Sequence, residues 1–182
     1  MGRWAPPEIV AEALRGDEDA ADRLVSAVWP QCSRLAATIV GDWSLAQDAA
    51  QEACVILHRK IRGLRDVAAF DAWMYRIVLR EASRVRRVHV PFEQLAEHCA
   101  GVDVAVSLDV WRALATLPPK LRTAVVLFYF DALTSEEIAA ILRVPHATVR
   151  TRLLRARNRL RGLLRDYDDT YVPVLEVNPN AI

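Results

Sequence analysis

Apolar side chains recur along this chain at spacings of three, four and seven, the period of one helix face, and strand-like alternation is poor. Pro6 and Pro7 can open a first helix that runs to about Arg15, with Gly16 and Asp17 ending it. A second helix over 18–29 puts Ala21, Leu24, Val25 and Val28 on one face. Pro30 then marks a break or kink. A third helix over 31–40 presents Leu35, Ala36 and Ile39, and Gly41 stops it. Ser44 with Gln47 reads as a capping box opening a helix over 45–62, with Leu45, Ala49, Ala53, Ile56 and Leu57 inward and Gly63 at its end. Residues 67–87 form one more helix, or two in tandem, with Phe70, Trp73, Met74, Ile77 and Val78 as the apolar set.

Periodicity weakens over 89–106, where Pro91 and Gly101 punctuate a stretch that still carries Phe92, Leu95 and several valines. It reads as a linker lying on another surface. Helical spacing returns at Ser107, which can cap a helix with Val110, Trp111 and Leu114 inward. Leu117-Pro118-Pro119 separates this from a strongly apolar helix over 120–130. Thr134 and Glu137 then form a capping box for a short helix carrying Ile138, Ala139, Ile141 and Leu142. Arg143, Val144 and Pro145 interrupt it, and a longer helix follows with Val149, Leu153, Ala156, Leu160 and Leu164 on one stripe. The expected fold class is all-α: two small helical domains, 1–88 and 107–165, joined by the 89–106 linker and followed by a tail over 166–182.

Charge sharpens this picture. Overall it is balanced, with 24 Lys+Arg against 23 Asp+Glu in 182 residues, so its distribution is what informs. From Arg143 to Arg165 there are eight arginines and no acid, and a second basic run covers Arg80, Arg84, Arg86 and Arg87. The tail carries four acids and no base. A solvated surface helix mixes signs to gain i,i+4 pairs, and the last helix has no acid to pair with. A short capped helix, a turn and a longer cationic helix make the layout of a helix-turn-helix DNA reader.

Three cysteines, Cys32, Cys54 and Cys99, are too few and too scattered for a disulfide framework and suit a reducing cytoplasm. The amino terminus lacks a signal-peptide core, and no run approaches the roughly 20 apolar residues of a membrane span, so no membrane insertion is expected. Glycine-rich phosphate loops, His-Glu-x-x-His and paired-cysteine metal motifs are absent, so neither an enzyme nor a bound cofactor or metal is expected. Cys54 and His58 share a helix face at i,i+4, but buried cysteine and incidental histidine read better than a zinc site.

Two segments resemble the extracytoplasmic-function (ECF) group of bacterial sigma factors. One is Asp48-Ala-Ala-Gln51-Glu52, followed by Phe70-Asp-Ala-Trp73-Met-Tyr75-Arg76-Ile77. The other runs from Leu117-Pro-Pro-Lys-Leu-Arg through Glu137-Ile-Ala-Ala-Ile-Leu-Arg-Val-Pro to Thr148-Val-Arg-Thr-Arg-Leu-Leu-Arg. The resemblance implies a factor that binds core RNA polymerase and directs promoter recognition and transcription initiation for a specific regulon. Its partners would be the β′ clamp and β flap of the polymerase, promoter DNA and, as a further candidate, an anti-sigma protein. Asp48, Gln51, Glu52, Val55 and Arg59 would meet the polymerase. Trp73, Tyr75, Arg76, Arg80, Arg84, Arg86 and Arg87 would handle the minus-ten element. His146, Thr148, Arg150, Thr151, Leu154 and Arg155 would face the minus-thirty-five element, with Arg157, Arg159 and Arg161 on phosphate or solvent.

The chain departs from the family pattern where arginine stands at 80 and 84 in place of an Asn and an Asp that flank a base-capturing loop. Arg143 occupies a turn position where glycine is common. The acidic tail has no counterpart. Two other readings remain: a helix-turn-helix regulator that ignores polymerase, against which the Asp48–Glu52 segment speaks, and a sigma-like decoy that does not itself initiate.

Overall fold

A computed structural model of the chain describes residues 4–85 and 108–163. All elements among these residues are helical, and the chain divides into two compact units, Met1–Leu95 and Ala96–Ile182. The expected linker at 89–106 and the tail at 166–182 lie outside the described residues, as do Arg86, Arg87, Leu164 and Arg165.

Among its described residues the first unit has four α-helices. Helix α1 (Pro7–Leu14) starts on the proline pair and gives way to Gly16, whose φ of 95° turns the chain. The carboxylate of Asp17 then accepts the Ala20 N–H at 3.0 Å and opens α2 (Glu18–Val40). Here two helices were expected and one continuous helix of 23 residues is found, with Pro30 inside it. The Pro30 ring leaves the Ser26 carbonyl without its helical donor, but Ser26, Trp29 and Pro30 all lie on the exposed face, where water can replace it. Buried residues on both sides of the proline, Leu24 and Val28 before it and Cys32, Leu35, Ala36 and Ile39 after it, hold the helix in one line. Gly41, at φ 80°, closes it by donating to the Ala37 carbonyl at 2.9 Å.

Helix α3 (Trp43–Lys60) is capped by Asp42, whose side chain accepts the Leu45 N–H at 2.9 Å. The Ser44 box is therefore corrected: Ser44 sits exposed inside the first turn. An aspartate at the cap also places a negative charge on the positive end of the helix. The buried face is Ala46, Ala49, Ala50, Ala53, Cys54 and Leu57, with the expected Leu45 and Ile56 only half-buried. The small alanines let the α3 backbone lie close to α2. Helix α4 (Phe70–Arg84) follows a short 3-10 turn at Val67–Ala69 and buries Phe70, Met74, Ile77 and Val78 as expected.

The first described element of the second unit is α5 (Leu108–Thr116). The Leu117-Pro118-Pro119 turn is held by one side chain: Arg122 donates to the carbonyls of Leu114 at 3.0 Å, Leu117 at 3.2 Å and Ala115, so it satisfies the carboxyl end of α5. Helix α6 (Pro119–Val125) runs into a wider π turn at Val126–Phe130, which together cover the single helix expected there. Helix α7 (Ser135–Leu142) carries the expected capping box: Glu137 N–H donates to Thr134 Oγ1 at 3.2 Å, and Thr134 N–H donates to Glu137 Oε2 at 2.8 Å. Arg143 ends α7 in the left-handed region, at φ 52° and ψ 49°. Helix α8 (His146–Leu163) lays Val149, Leu153, Ala156 and Leu160 inward and leaves most of its arginines outside.

Candidate polymerase and DNA interfaces

Burying alanines on one side of α3 turns the opposite side to solvent. Asp48, Gln51, Glu52 and Arg59 are exposed there and Val55 is half-buried, at intervals of three and four residues that make one stripe. Asp48 and Glu52 make no ion pair among the described residues. Some other acids of this unit are engaged: Glu12 with Arg23 at 2.7 Å, Glu18 with Arg62 at 3.4 Å, and Glu81 with two arginines. The α3 stripe is thus an uncommitted acidic face on a rigid helix. On the same helix Cys54 turns inward and hydrogen-bonds with Cys32, whose thiol is pushed up by that bond and by burial, while His58 points outward, 3.7 Å from Asp22.

The cationic end of α4 presents Arg76, Arg80 and Arg84 one turn apart. Arg76 Nε donates to the Ala72 carbonyl at 3.0 Å, which lays its side chain along the helix. Arg80 and Arg84 both bond to Glu81, a buried carboxylate that the motif alone does not single out. Burial pushes the Glu81 carboxyl up, but the hydrogen bonds and charges of Arg80 and Arg84 outweigh it and hold the group below its ordinary value. Of the two aromatic residues counted with the minus-ten set, Tyr75 is corrected by the structure. Tyr75, counted with the minus-ten residues, is 0 % exposed; its hydroxyl accepts from Gln31 Nε2 at 3.2 Å, and Trp4 packs edge-on against its ring at 4.9 Å. It is a core residue and offers no face to a base. Trp73, read both as part of the apolar set and as a minus-ten residue, is half-buried beside Phe70, with ring centres 6.2 Å apart.

On α8, Arg150, Thr151, Leu154 and Arg155 are exposed, and His146 and Thr148 are half-buried. Leu154 is 53 % exposed in the middle of an arginine face, an apolar surface suited to a thymine methyl. Thr151 Oγ1 donates back to the Ala147 carbonyl at 2.8 Å, so its hydroxyl is engaged. His146 bridges to α7: its Nε2 lies 2.7 Å from Ser135 Oγ and 3.3 Å from Glu136 Oε1, joining the first turns of the two helices. Ser135, Ala147, Arg150, Thr151, Leu153, Leu154 and Arg157 line a groove of about 420 Å³. Arg157, placed by the sequence on phosphate or solvent, has its Nε buried without a partner among the described residues. Ser135 was missed because a helix-opening serine carries no cationic signal.

Among the described residues no group of three His, Cys, Asp or Glu side chains is placed to hold a metal, and no helix is long and apolar enough to cross a membrane.

Comparison with known proteins assigns both units. Residues 24–89 match the sigma-70 region 2 family, and residues 107–160 match sigma-70, region 4. The RNA polymerase sigma-H factor of Pseudomonas aeruginosa is 31% identical over 171 residues, covering 82% of this chain and 89% of the relative. The ECF RNA polymerase sigma factor SigW of Bacillus subtilis is 30% identical over 178 residues, covering 86% and 95%. SigM of Mycobacterium tuberculosis is 34% identical over 165 residues, covering 86% and 83%. Among solved structures, CnrH in complex with the cytosolic domain of CnrY shares the fold with a TM-score of 0.69 at 22% identity, covering 89% of this chain and 98% of that one. The sigma factor RpoE of Bartonella quintana, in complex with the anti-sigma factor NepR, does so with a TM-score of 0.62 at 23% identity, covering 81% and 98%. With both regions matched in chain order and relatives matched over most of their length, the chain belongs to the ECF group of sigma-70 family sigma factors.

Proposed function

We propose that this chain binds core RNA polymerase and directs it to promoters through three faces. The acidic stripe of α3, Asp48, Gln51 and Glu52 with Val55 and Arg59, meets the polymerase. The cationic end of α4 with Trp73 handles the opened minus-ten strand. Helix α8, through Arg150, Thr151, Leu154 and Arg155, enters the major groove at the minus-thirty-five element. The observation that carries this reading is the α3 stripe: a helix packed by alanines on one side presents uncommitted acids on the other, a face that repels DNA and suits a protein partner. Exposed charges of this kind set register and encounter rate more than affinity.

The DNA faces follow from chemistry. Guanidinium groups grip phosphate or read guanine, and unpaired bases stack on aromatic surface such as the open part of the half-buried Trp73. Two separate grips, with polymerase supplying much of the binding energy, suit a chain whose net charge is only +1. The factor is an initiation factor rather than an enzyme, acting where the genome is, in the cytoplasm. An anti-sigma protein is a candidate partner, as for the Bartonella relative. In the full chain, Asp48→Lys with Glu52→Lys is expected to weaken core polymerase binding about tenfold or more, by replacing attraction with repulsion. DNA affinity measured without polymerase should not fall, since the four added positive charges favour binding to a polyanion; equal loss of both, or loss of neither, contradicts the assignment.

A further inference from the structure

Glu81 is 4 % exposed, and both of its carboxylate oxygens accept from its own helix. Oε1 accepts from Arg80 Nε at 2.7 Å and Oε2 from Arg84 Nη1 at 2.9 Å. Each oxygen holds one guanidinium, and the three groups together carry one net positive charge. Without the carboxylate, two guanidiniums one helical turn apart repel each other and sample many rotamers, at about 2 kcal/mol of side-chain entropy each. With it, both are fixed beside one another at the cationic end of α4 while remaining half or more exposed, at 50% and 68%. Each keeps its other N–H groups for an outside acceptor. Guanidinium offers donors and no acceptor, and paired forks match the oxygens of a phosphate.

We infer that Glu81 is a positioning residue that clamps Arg80 and Arg84 into a preformed cradle for a backbone phosphate of the unpaired minus-ten strand. The inference rests on the sigma-factor reading and on α4 as the minus-ten face. It gives the two arginines, which replace the Asn and Asp of the family pattern, one shared role, that of gripping backbone rather than reading a base. The chain then holds the opened strand firmly with less discrimination among bases at that step.

The test uses holoenzyme assembled from the full chain and a bacterial core polymerase. The probe is fork-junction DNA carrying a minus-ten strand selected by the wild-type holoenzyme from a randomised pool. Glu81→Gln adds one net positive charge, so charge counting alone expects tighter binding. A cradle expects the reverse: about tenfold weaker binding, the size of one charge-assisted hydrogen bond, with core affinity unchanged. Unchanged or tighter binding overturns the inference. Arg84→Ala alters an exposed side chain and keeps the fold; it should lower the salt slope of fork binding by about 0.7, the equivalent of one single-strand phosphate. An unchanged slope also overturns it. A wild-type holoenzyme that selects no sequence sinks the sigma reading and this inference together, whereas normal selection with an indifferent Glu81→Gln sinks only the inference.

Discussion

Arg143→Gly should stabilise the second unit. Arg143 ends α7 at φ 52° and ψ 49°, with its backbone N–H on the Ala139 carbonyl. An L-residue in this region costs about 1–2 kcal/mol, because its Cβ approaches the following carbonyl oxygen, and glycine removes that cost. Glycine also loosens the unfolded chain, which returns about 0.4–1 kcal/mol. Arg143 is exposed and has no side-chain hydrogen bond or ion pair among the described residues, so its removal breaks no such bond. The net gain is about 0.5–1 kcal/mol, since the steric relief exceeds the entropy returned. Amide hydrogen exchange in the full chain reads this unit directly: the slowest amides of α7 and α8 should gain about two- to fivefold in protection. Ala132→Gly, at φ 50° and also exposed, should shift the same way. Unchanged or lower protection in both variants would refute the strain attributed to these turns.

Replacing Arg150 and Arg155 together with alanine should weaken minus-thirty-five binding and lower its salt slope by about 0.9 for each phosphate no longer gripped; an unaltered affinity and slope remove these residues from the interface. Tyr75→Ala should cost about 3–5 kcal/mol of first-unit stability by emptying a buried site, while Trp73→Ala, at a half-buried site, should lower the thermal melt less and slow promoter opening in permanganate footprints. The opposite pattern would return Tyr75 to the DNA. Because the Glu81 carboxyl is held below its ordinary value in the folded state, its stabilisation is complete above the unfolded value and lost as pH falls through the folded one. The urea midpoint of the wild type should exceed that of Glu81→Gln near neutrality and converge with it in acid; a gap independent of pH contradicts the ion cluster.

Elements announced by local chemistry were legible in the sequence. Pro7, Gly41 and the Thr134–Glu137 box each act within one turn, and the helices begin or end where they stand. Where the outcome depended on partners, the pattern was insufficient. Pro30 reads as a break until the exposed face around Ser26 and the buried residues on either side are known. Trp73 and Tyr75 point to different sides of α4, and Tyr75 lies inward because Gln31 and Trp4 close around it, both from outside the motif. The apolar stripe of α3 was misjudged toward Leu45 and Ile56 because hydrophobicity favours large side chains, whereas close helix approach favours Ala46 and Ala50. The arginines of α4 were visible as charge, but the Glu81 clamp required knowing that its carboxylate is buried.

The central claim is that the three faces act together on one promoter, and run-off transcription tests it most directly. Core polymerase and the purified chain are combined on DNA whose start site has been mapped after induction of the gene. Specific initiation is expected with the wild type, with loss from Asp48→Lys/Glu52→Lys and from Arg150→Ala/Arg155→Ala. Core binding by the wild type without specific transcripts from that start site would contradict the account.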